Sequence, residues 1–170
     1  MACDLTAGRV KACKESIGGN STLYLFDYLE DAFTITAGEA TAMNVLLTAA
    51  YKYELVGDGS TFTEEAVSDR NTGTVTNTQT ITAVFHKMDA ATAAEFNAVA
   101  KAYPIAVIKD RNGVYHLVGQ TDGIDFNISG ATGGAKSDQN GFTITGTSVE
   151  QNLSPKLDSA TITAFLAVVV

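Results

Sequence analysis

The sequence predicts a mainly β fold that carries one α-helix and a long projecting β-hairpin. Threonine is abundant, glycine occurs 15 times and proline only twice in 170 residues. β-Branched side chains fit a pleated, half-buried surface, and glycines favour the turns that join strands. Hydrophobic residues make up 45% of the chain and charged residues 18%. The chain is therefore globular, and its length predicts a single domain over residues 1–170.

Alternating side chains predict the strands. In Thr22–Tyr28, Tyr24 and Phe26 fall on one face, whereas Leu23 and Leu25 fall on the other. Further strands are predicted at Phe33–Thr36, Ala49–Val56, Ile105–Lys109, Val114–Val118, Phe142–Glu150 and Thr161–Val170, and the segment Glu39–Ala50 fits either a helical turn or a strand.

Residues 57–86 are predicted to form the long hairpin. Its strands are Thr61–Val67 and Thr74–His86, with a turn between residues 69 and 73. A structureless loop of this length is uncommon inside a compact domain. The outer part of the hairpin contains few residues typical of a core, so we expect it to project from the body. Residues 1–20 are small and polar and are predicted to form an extended N-terminal arm.

One helix is predicted over residues 89–103. Asp89 is a good N-cap, and the alanine-rich stretch that follows has a high helix propensity. Phe96, Val99 and Tyr103 share one face of this helix. Pro104 ends it.

The charge and the cysteines limit the function. The net charge is −8 and the sequence pI is about 4.6, and so acidic a surface repels the phosphates of nucleic acids. We expect no cleaved secretory signal, because neither a basic nor an apolar segment follows Met1, and no membrane span, because the longest apolar run, Ala164–Val170, is too short. Without export, Cys3 and Cys13 are expected to be free thiols.

No residue pattern indicates an enzyme, a cofactor or a metal. The stretch from Gly130 to Ser137 resembles a phosphate-binding loop but has Ala135 where the second glycine belongs, and a turn and a strand follow it. His86 and His116 lie in strand-like segments without neighbouring ligands. The adjacent carboxylates Glu64 and Glu65 point to opposite faces of a strand, so they cannot act as an acid/base pair.

The C-terminal run Thr161–Val170 has two interpretations. Its β-branched apolar residues suit an internal core strand. They also suit a strand that a neighbouring subunit covers in an assembly, because an exposed apolar edge invites pairing.

Several short motifs together resemble one family. They are Cys3-Asp-Leu-Thr-Ala-Gly-Arg9, Cys13-Lys-x3-Gly-Gly19, Tyr51-Lys-Tyr-Glu-Leu-x-Gly57, Ser68-Asp-Arg-Asn-x-Gly73, Asn112-Gly-x-Tyr-x-Leu-Val-Gly119 and Asp138-x-x-Gly-Phe-Thr-Ile-Thr145. In this order they resemble the major tail proteins of tailed phages, which form the tail tube. The segments Ala37–Ala50 and Ser159–Val170 match nothing in that family.

The resemblance implies a two-sheet β-sandwich or barrel with one flanking helix. It also implies a structural virion protein of the phage tail, assembled in the host cytoplasm, whose six-subunit rings stack into a tube. The hairpins would join into a continuous barrel around a lumen through which DNA passes without specific binding. The expected partners are further copies of the chain and other tail proteins, with no membrane and no cofactor.

The resemblance and the charge pattern together select candidate residues. Candidates for the lumen are Asp58, Glu64, Glu65 and Asp69, and candidates for contacts between subunits are Leu5, Phe62, Val67, Val75, Phe165 and Val168. An acidic lumen would let DNA pass without adhering. Alternative functions are a head-completion or ring protein, a capsid decoration protein, or a module that binds a host surface.

Overall fold

A computed structural model describes residues 7–11, 13–55 and 58–170 of the chain. The elements, in chain order, are β1 (Asn20–Phe26), β2 (Phe33–Thr36), β3 (Glu39–Met43), β4 (Tyr51–Glu54), β5 (Thr61–Asp69), β6 (Thr74–His86), α1 (Ala90–Val99), β7 (Ile105–Asp110), β8 (Tyr115–Val118), β9 (Asp125–Ala131), β10 (Gly141–Glu150), β11 (Lys156–Leu157) and α2 (Ser159–Leu166).

The strands form two sheets. The large sheet has the order β2-β3-β11-β8-β7-β1-β4, and the small sheet has the order β5-β6-β10-β9. Neighbouring strands are antiparallel except β11 and β3, which are parallel. The prediction of a mainly β, two-sheet fold with a flanking helix and a long hairpin is confirmed.

Strand β1, which lies next to the edge strand β4, is buried on both faces. Leu23 and Leu25 contribute to a first core, between the two sheets, whereas Tyr24 and Phe26 contribute to a second core on the opposite face of the large sheet. Because successive side chains of a strand point to opposite faces, the alternation of leucine with aromatic residues in β1 serves two separate cores.

The small sheet crosses the large one. The ring of Phe85, near the end of β6, lies 5.9 Å from the ring of Tyr53 in the edge strand β4. Six residues earlier, the side-chain oxygen of Gln79 accepts a hydrogen bond of 3.2 Å from the N–H of Gly119, just after β8. Strand β6 therefore runs across β8, β7 and β1 towards β4, as in orthogonal sheet packing.

Helix α1 packs at the side of the first core. The carboxylate of Asp89 accepts a hydrogen bond from the N–H of Thr92, so the predicted N-cap is present. Phe96 is 1% exposed and contacts the rings of Phe85 and Phe142. The helix is shorter than predicted, because residues 100–103 turn away ahead of Pro104. Tyr103 is 61% exposed and does not belong to the buried face.

The C-terminal segment is a helix, and the prediction of a strand over Thr161–Val170 is wrong. Asp158 is the N-cap of α2 and accepts a hydrogen bond of 2.7 Å from the N–H of Thr161. Thr161 and Phe165 lie four residues apart and are both buried, as expected for one helix face. Helix α2 covers the second core, and Val169 then forms a short parallel bridge with Ala50.

Two strands lie where no strand was predicted, and one ambiguity is settled. Asp125–Ala131 forms the edge strand β9, and Lys156–Leu157 forms the two-residue strand β11. The ambiguous segment Glu39–Ala50 begins with strand β3.

Candidate assembly surface and channel wall

One face of the small sheet is covered with threonine side chains. In β6, Gln79, Ile81 and Ala83 are buried, so the alternate residues point outward. The outward residues from position 74 to position 82 are all threonines. The sequence Thr74-Val-Thr-Asn-Thr-Gln-Thr-Ile-Thr82 thus places a continuous row of hydroxyl groups along the strand.

The pairing register extends these rows across the sheet. Thr63 of β5, Thr80 of β6 and Thr147 of β10 are direct neighbours, and Asp125 of β9 completes the row. Residues paired in this way share one face of a sheet. We call this surface the threonine face; it carries Thr61, Thr63, Thr74, Thr76, Thr78, Thr80, Thr82, Thr143, Thr145 and Thr147, with the carboxylates Glu65, Asp69 and Asp125. On these four strands it carries neither lysine nor arginine.

The small sheet has two open edges. Within the described residues, β5 pairs only with β6, and β9 pairs only with β10. Each edge strand therefore presents a row of unpaired backbone N–H and C=O groups, which can pair with another chain. The edges lie on opposite sides of the threonine face.

The outer hairpin projects as a two-stranded ribbon. The pairing of β10 with β6 ends at Asn77, so from there to the turn β6 pairs only with β5. Residues 66–76 are all exposed, including Val67 at 50% and Val75 at 52%. At the turn, the Asp69 carboxylate accepts a hydrogen bond of 2.8 Å from the N–H of Asn71, which lowers the pKa of Asp69. Two-stranded ribbons are marginally stable alone, so a partner would stabilise this one.

The four lumen candidates do not share one surface. Glu65 and Asp69 lie on the threonine face, and Asp58, just before β5, is fully exposed. Glu64 points inward and accepts a hydrogen bond from the N–H of Ser154 in the loop before β11. Its assignment to the lumen is therefore wrong, because its carboxylate is engaged within its own chain.

The candidates for contacts between subunits also divide. Phe62 is half-buried at the hairpin base, with its ring 5.4 Å from the imidazole of His116. Phe165 is 0% exposed in the second core of its own chain, so its assignment to an interface is wrong. Val168 is half-buried against the same core, whereas Val67 and Val75 are exposed. Leu5 lies outside the described residues.

The base of the hairpin encloses ionisable groups. His116 Nε2 lies 3.7 Å from the Asp110 carboxylate, and Glu64 lines the same shallow cavity of about 330 Å³. Burial lowers the pKa of His116, with a smaller contribution from Lys156. In the described part of the chain, no three His, Cys, Asp or Glu side chains come together as possible metal ligands. Cys13 is an exposed free thiol, and Cys3 is not among the described residues.

Two parts of this surface were missed by the sequence reasoning. The threonine face has a visible signal, because threonine alternates with other residues at 74–82 and again at 143–147. Asp125 and the edge strand β9 also have a signal, because Ile124-Asp-Phe-Asn-Ile-Ser129 alternates apolar with polar residues, but the asparagine, serine and glycine residues in that stretch are typical of loops.

Within the described residues, neither helix has the length and apolar character that crossing a bilayer requires. No protein-family model matches the chain, and neither curated proteins nor solved structures give a significant match.

Proposed function

We propose that the chain is a structural virion protein that assembles into stacked rings and forms a phage tail tube. The observation that carries this proposal is the small sheet: its two edges are open, and its outward face carries hydroxyl and carboxylate groups without lysine or arginine. A sheet of this kind can close only with further copies, and the closed barrel would present the threonine face to its interior.

Ring closure would use the two edges. Strand β9 of one copy pairs with β5 of the next, a head-to-tail contact that gives a ring when the rotation closes. The resemblance implies six copies, each with four strands. At ~4.8 Å between strands the backbone perimeter is roughly 115 Å, and the barrel is roughly 37 Å across before strand tilt widens it. Such a barrel can admit a DNA duplex.

The wall chemistry suits passage of DNA without retention. Proteins that hold DNA neutralise its phosphates with lysine and arginine, which the threonine face lacks. Every copy instead contributes Glu65, Asp69 and Asp125 to the wall. Around the ring these carboxylates form bands of negative charge that repel the phosphates. The hydroxyls keep the wall hydrated. The net charge of the whole chain, −8, has the same sign as these carboxylates.

Assembly would also cover the projecting ribbon. Val67 and Val75 lie on opposite faces of it, because the register pairs Val67 with Thr76 and Val75 with Ser68. Val67 shares the threonine face, so a neighbouring copy packed on the opposite face of the ribbon would bury Val75 and stabilise a hairpin that has no core of its own.

Cysteine cross-linking between the edges tests this proposal. In one chain, β5 and β9 are three strand spacings apart, or ~14 Å, too far for a disulfide. In a background with Cys3→Ser and Cys13→Ser, Asn127→Cys is combined in turn with cysteine at Thr61, Thr63 and Glu65 to sample the register. We expect one combination to give a ladder of disulfide-linked oligomers, and negative-stain microscopy to show hollow rings or tubes.

The matched control places cysteine at Thr80 in the interior strand β6, again with Asn127→Cys. This pair should give no ladder, since a neighbouring copy cannot reach an interior strand. Monomers at every concentration, or equal cross-linking in the control, would overturn the proposal. Solid oligomers without a channel would indicate a decoration protein instead.

A further inference from the structure

We propose that the N-terminal arm of one copy docks in an apolar, acidic groove at the opposite end of a second copy. The docking part of this arm comprises the described residues 7–11 and 13–16, and the groove lies between β4, the end of β1 and helix α1. The contact would link copies end to end. This contact adds to the proposed function the way in which rings are joined. It rests on the proposed function in one respect, namely that the linked units are rings.

The groove combines apolar walls with two carboxylates. Its cavity of about 300 Å³ is lined by residues that include Leu25, Tyr51, Tyr53, Val99, Asp27 and Glu95. Tyr51 is 50% exposed. The Tyr53 hydroxyl donates a hydrogen bond to Glu95, which holds one carboxylate at the rim. No lysine or arginine is among the lining residues.

The arm has the complementary chemistry. It carries the cations Arg9, Lys11 and Lys14 within a protein whose net charge is −8. Its described residues are all exposed, and Val10 is 88% exposed. In an extended segment, Arg9 and Lys11 point away from the side on which Val10 lies. Val10 can thus enter the apolar groove, and the long side chains of Arg9 and Lys11, which leave the arm on its outer side, can bend back to the carboxylates at the rim, where Tyr53 holds Glu95.

The geometry favours a second copy as the owner of the groove. The arm joins β1 at Asn20, and the groove receives the other end of β1 at Phe26, ~20 Å away. The arm is also fixed where it leaves the body: the Ile17 N–H donates to Asn112 at 3.0 Å, and the Asn112 side chain donates to the Ile17 carbonyl at 2.9 Å. The arm therefore leaves the body at one end of β1, and the groove lies at the other end. Such an arrangement lets copies join head to tail.

The edge strand β4 offers backbone pairing beside the groove. Among the strands of the large sheet, β4 is the last and pairs only with β1. An extended segment can add to such an edge, with main-chain hydrogen bonds supplying affinity and side-chain pockets supplying specificity. The arm has an extended length of up to ~33 Å, enough to follow β4 and enter the groove.

Cross-linking between two distinguishable full-length chains tests the docking. In the Cys3→Ser, Cys13→Ser background, a tagged chain carries Val10→Cys and an untagged chain carries Ala98→Cys, an exposed position that lines the groove. We expect a mixed disulfide dimer. The control chain carries Ala100→Cys, which is exposed, directly follows α1 and does not line the groove, and it should lose that product. Absence of the mixed dimer would overturn the inference. This includes the case in which the arm binds the groove of its own chain and therefore gives no dimer.

A groove-filling variant separates this inference from the proposed function. Ala98→Trp should convert tubes into single rings while the β5–β9 disulfide ladder persists, and Ala100→Trp should leave the tubes long. Tubes of normal length with Ala98→Trp would show that the docking is wrong although the rings are right. A mixed Val10–Ala98 dimer without any β5–β9 ladder would support the docking and reject the rings.

Discussion

The carboxylate of Glu64 accepts a hydrogen bond from the backbone N–H of Ser154, 90 residues further along the chain. This bond ties the base of the hairpin to the loop that precedes β11. Glu65, the next residue after Glu64, points to the threonine face and is exposed. Two adjacent glutamates thus have different roles, one within the chain and one on the proposed channel wall.

The first prediction contrasts these two residues. Glu64→Ala should destabilise the monomer by ~1–3 kcal/mol, because a half-buried N–H loses a charged acceptor. Glu65→Ala removes only exposed atoms and should stay within ~0.5 kcal/mol of the wild type. Urea unfolding of dilute monomer measures both. Equal losses in the two variants would contradict the assigned orientations.

The second prediction concerns Phe96. Its ring is 1% exposed and contacts the rings of Tyr53, Phe85 and Phe142. Phe96→Ala should reduce the free energy of unfolding by ~3–5 kcal/mol through lost burial and a residual cavity. Tyr103→Ala, at the exposed end of the same segment, serves as the control and should cost far less. A loss below ~1 kcal/mol for Phe96→Ala would refute its place in the core.

Hydrogen exchange should divide the hairpin into two parts. In the monomer, amides of residues 66–76 should exchange rapidly, because they form a two-stranded ribbon without a core. Amides of residues 79–82 should be protected, since there β6 lies between β5 and β10. In the assembly the ribbon should gain protection. Uniform protection of both parts in a confirmed monomer would count against a ribbon that needs partners.

A fourth prediction concerns the charge of the wall. Glu65→Lys or Thr80→Lys should preserve the rings and make assembled tubes retain DNA, because added cations recruit phosphates. Thr163→Lys, on the exposed side of α2, should not. Retention should fall with salt and vanish near 1 M, where screening acts over ~3 Å. If no variant retains DNA even at low ionic strength, the threonine face does not line a channel used by DNA.

The last prediction is a pH dependence at the start of α2. The hydrogen bond from the Thr161 N–H lowers the pKa of Asp158 in the folded state. A carboxyl group with a lowered folded pKa stabilises the protein above its ordinary pKa, and this contribution is lost as the pH falls through the folded pKa. The stability difference between wild type and Asp158→Ala should therefore be largest near neutral pH and shrink in acid. Unfolding curves from pH 7 down to pH 3 measure it, with Asp122→Ala as an exposed control; a constant difference would contradict it.

The strand pattern and one helix could be predicted from the sequence because their signals are local. Alternation identified β1 and β6, and Asp89 with its alanine-rich continuation identified α1. Helix α2 was mistaken for a strand because its isoleucine and threonine residues, and the valines that follow it, favour strands. The competing signal was present: Asp158 is an N-cap, and Thr161 and Phe165 have helical spacing. The segment forms a helix because this places Phe165 in the second core. Local propensity contains no information about burial.

The candidate site was only partly predictable. The hairpin and the exposed positions of Glu65 and Asp69 followed from local pattern. The open edge at β9 depends on which strand it pairs with, and that partner, β10, lies further along the chain. The inward side chain of Glu64 depends on a loop 90 residues away. Neither contact leaves a trace in the neighbouring sequence.

The burial of β1 on both faces also sets the order in which the protein can be completed during synthesis. Leu23 pairs in register with Ile108, and the opposite face of β1 is closed by Phe165 near the chain's end. At ~5–20 residues per second, the ribosome needs roughly seven to thirty seconds to make the chain from the end of β1 to the end of α2. The last member of the first core, Ile144, is made before α2, but the second core cannot close until Phe165 is made. A chain truncated before α2 would keep that apolar face open, so translation itself delays the moment at which a copy could enter the proposed assembly.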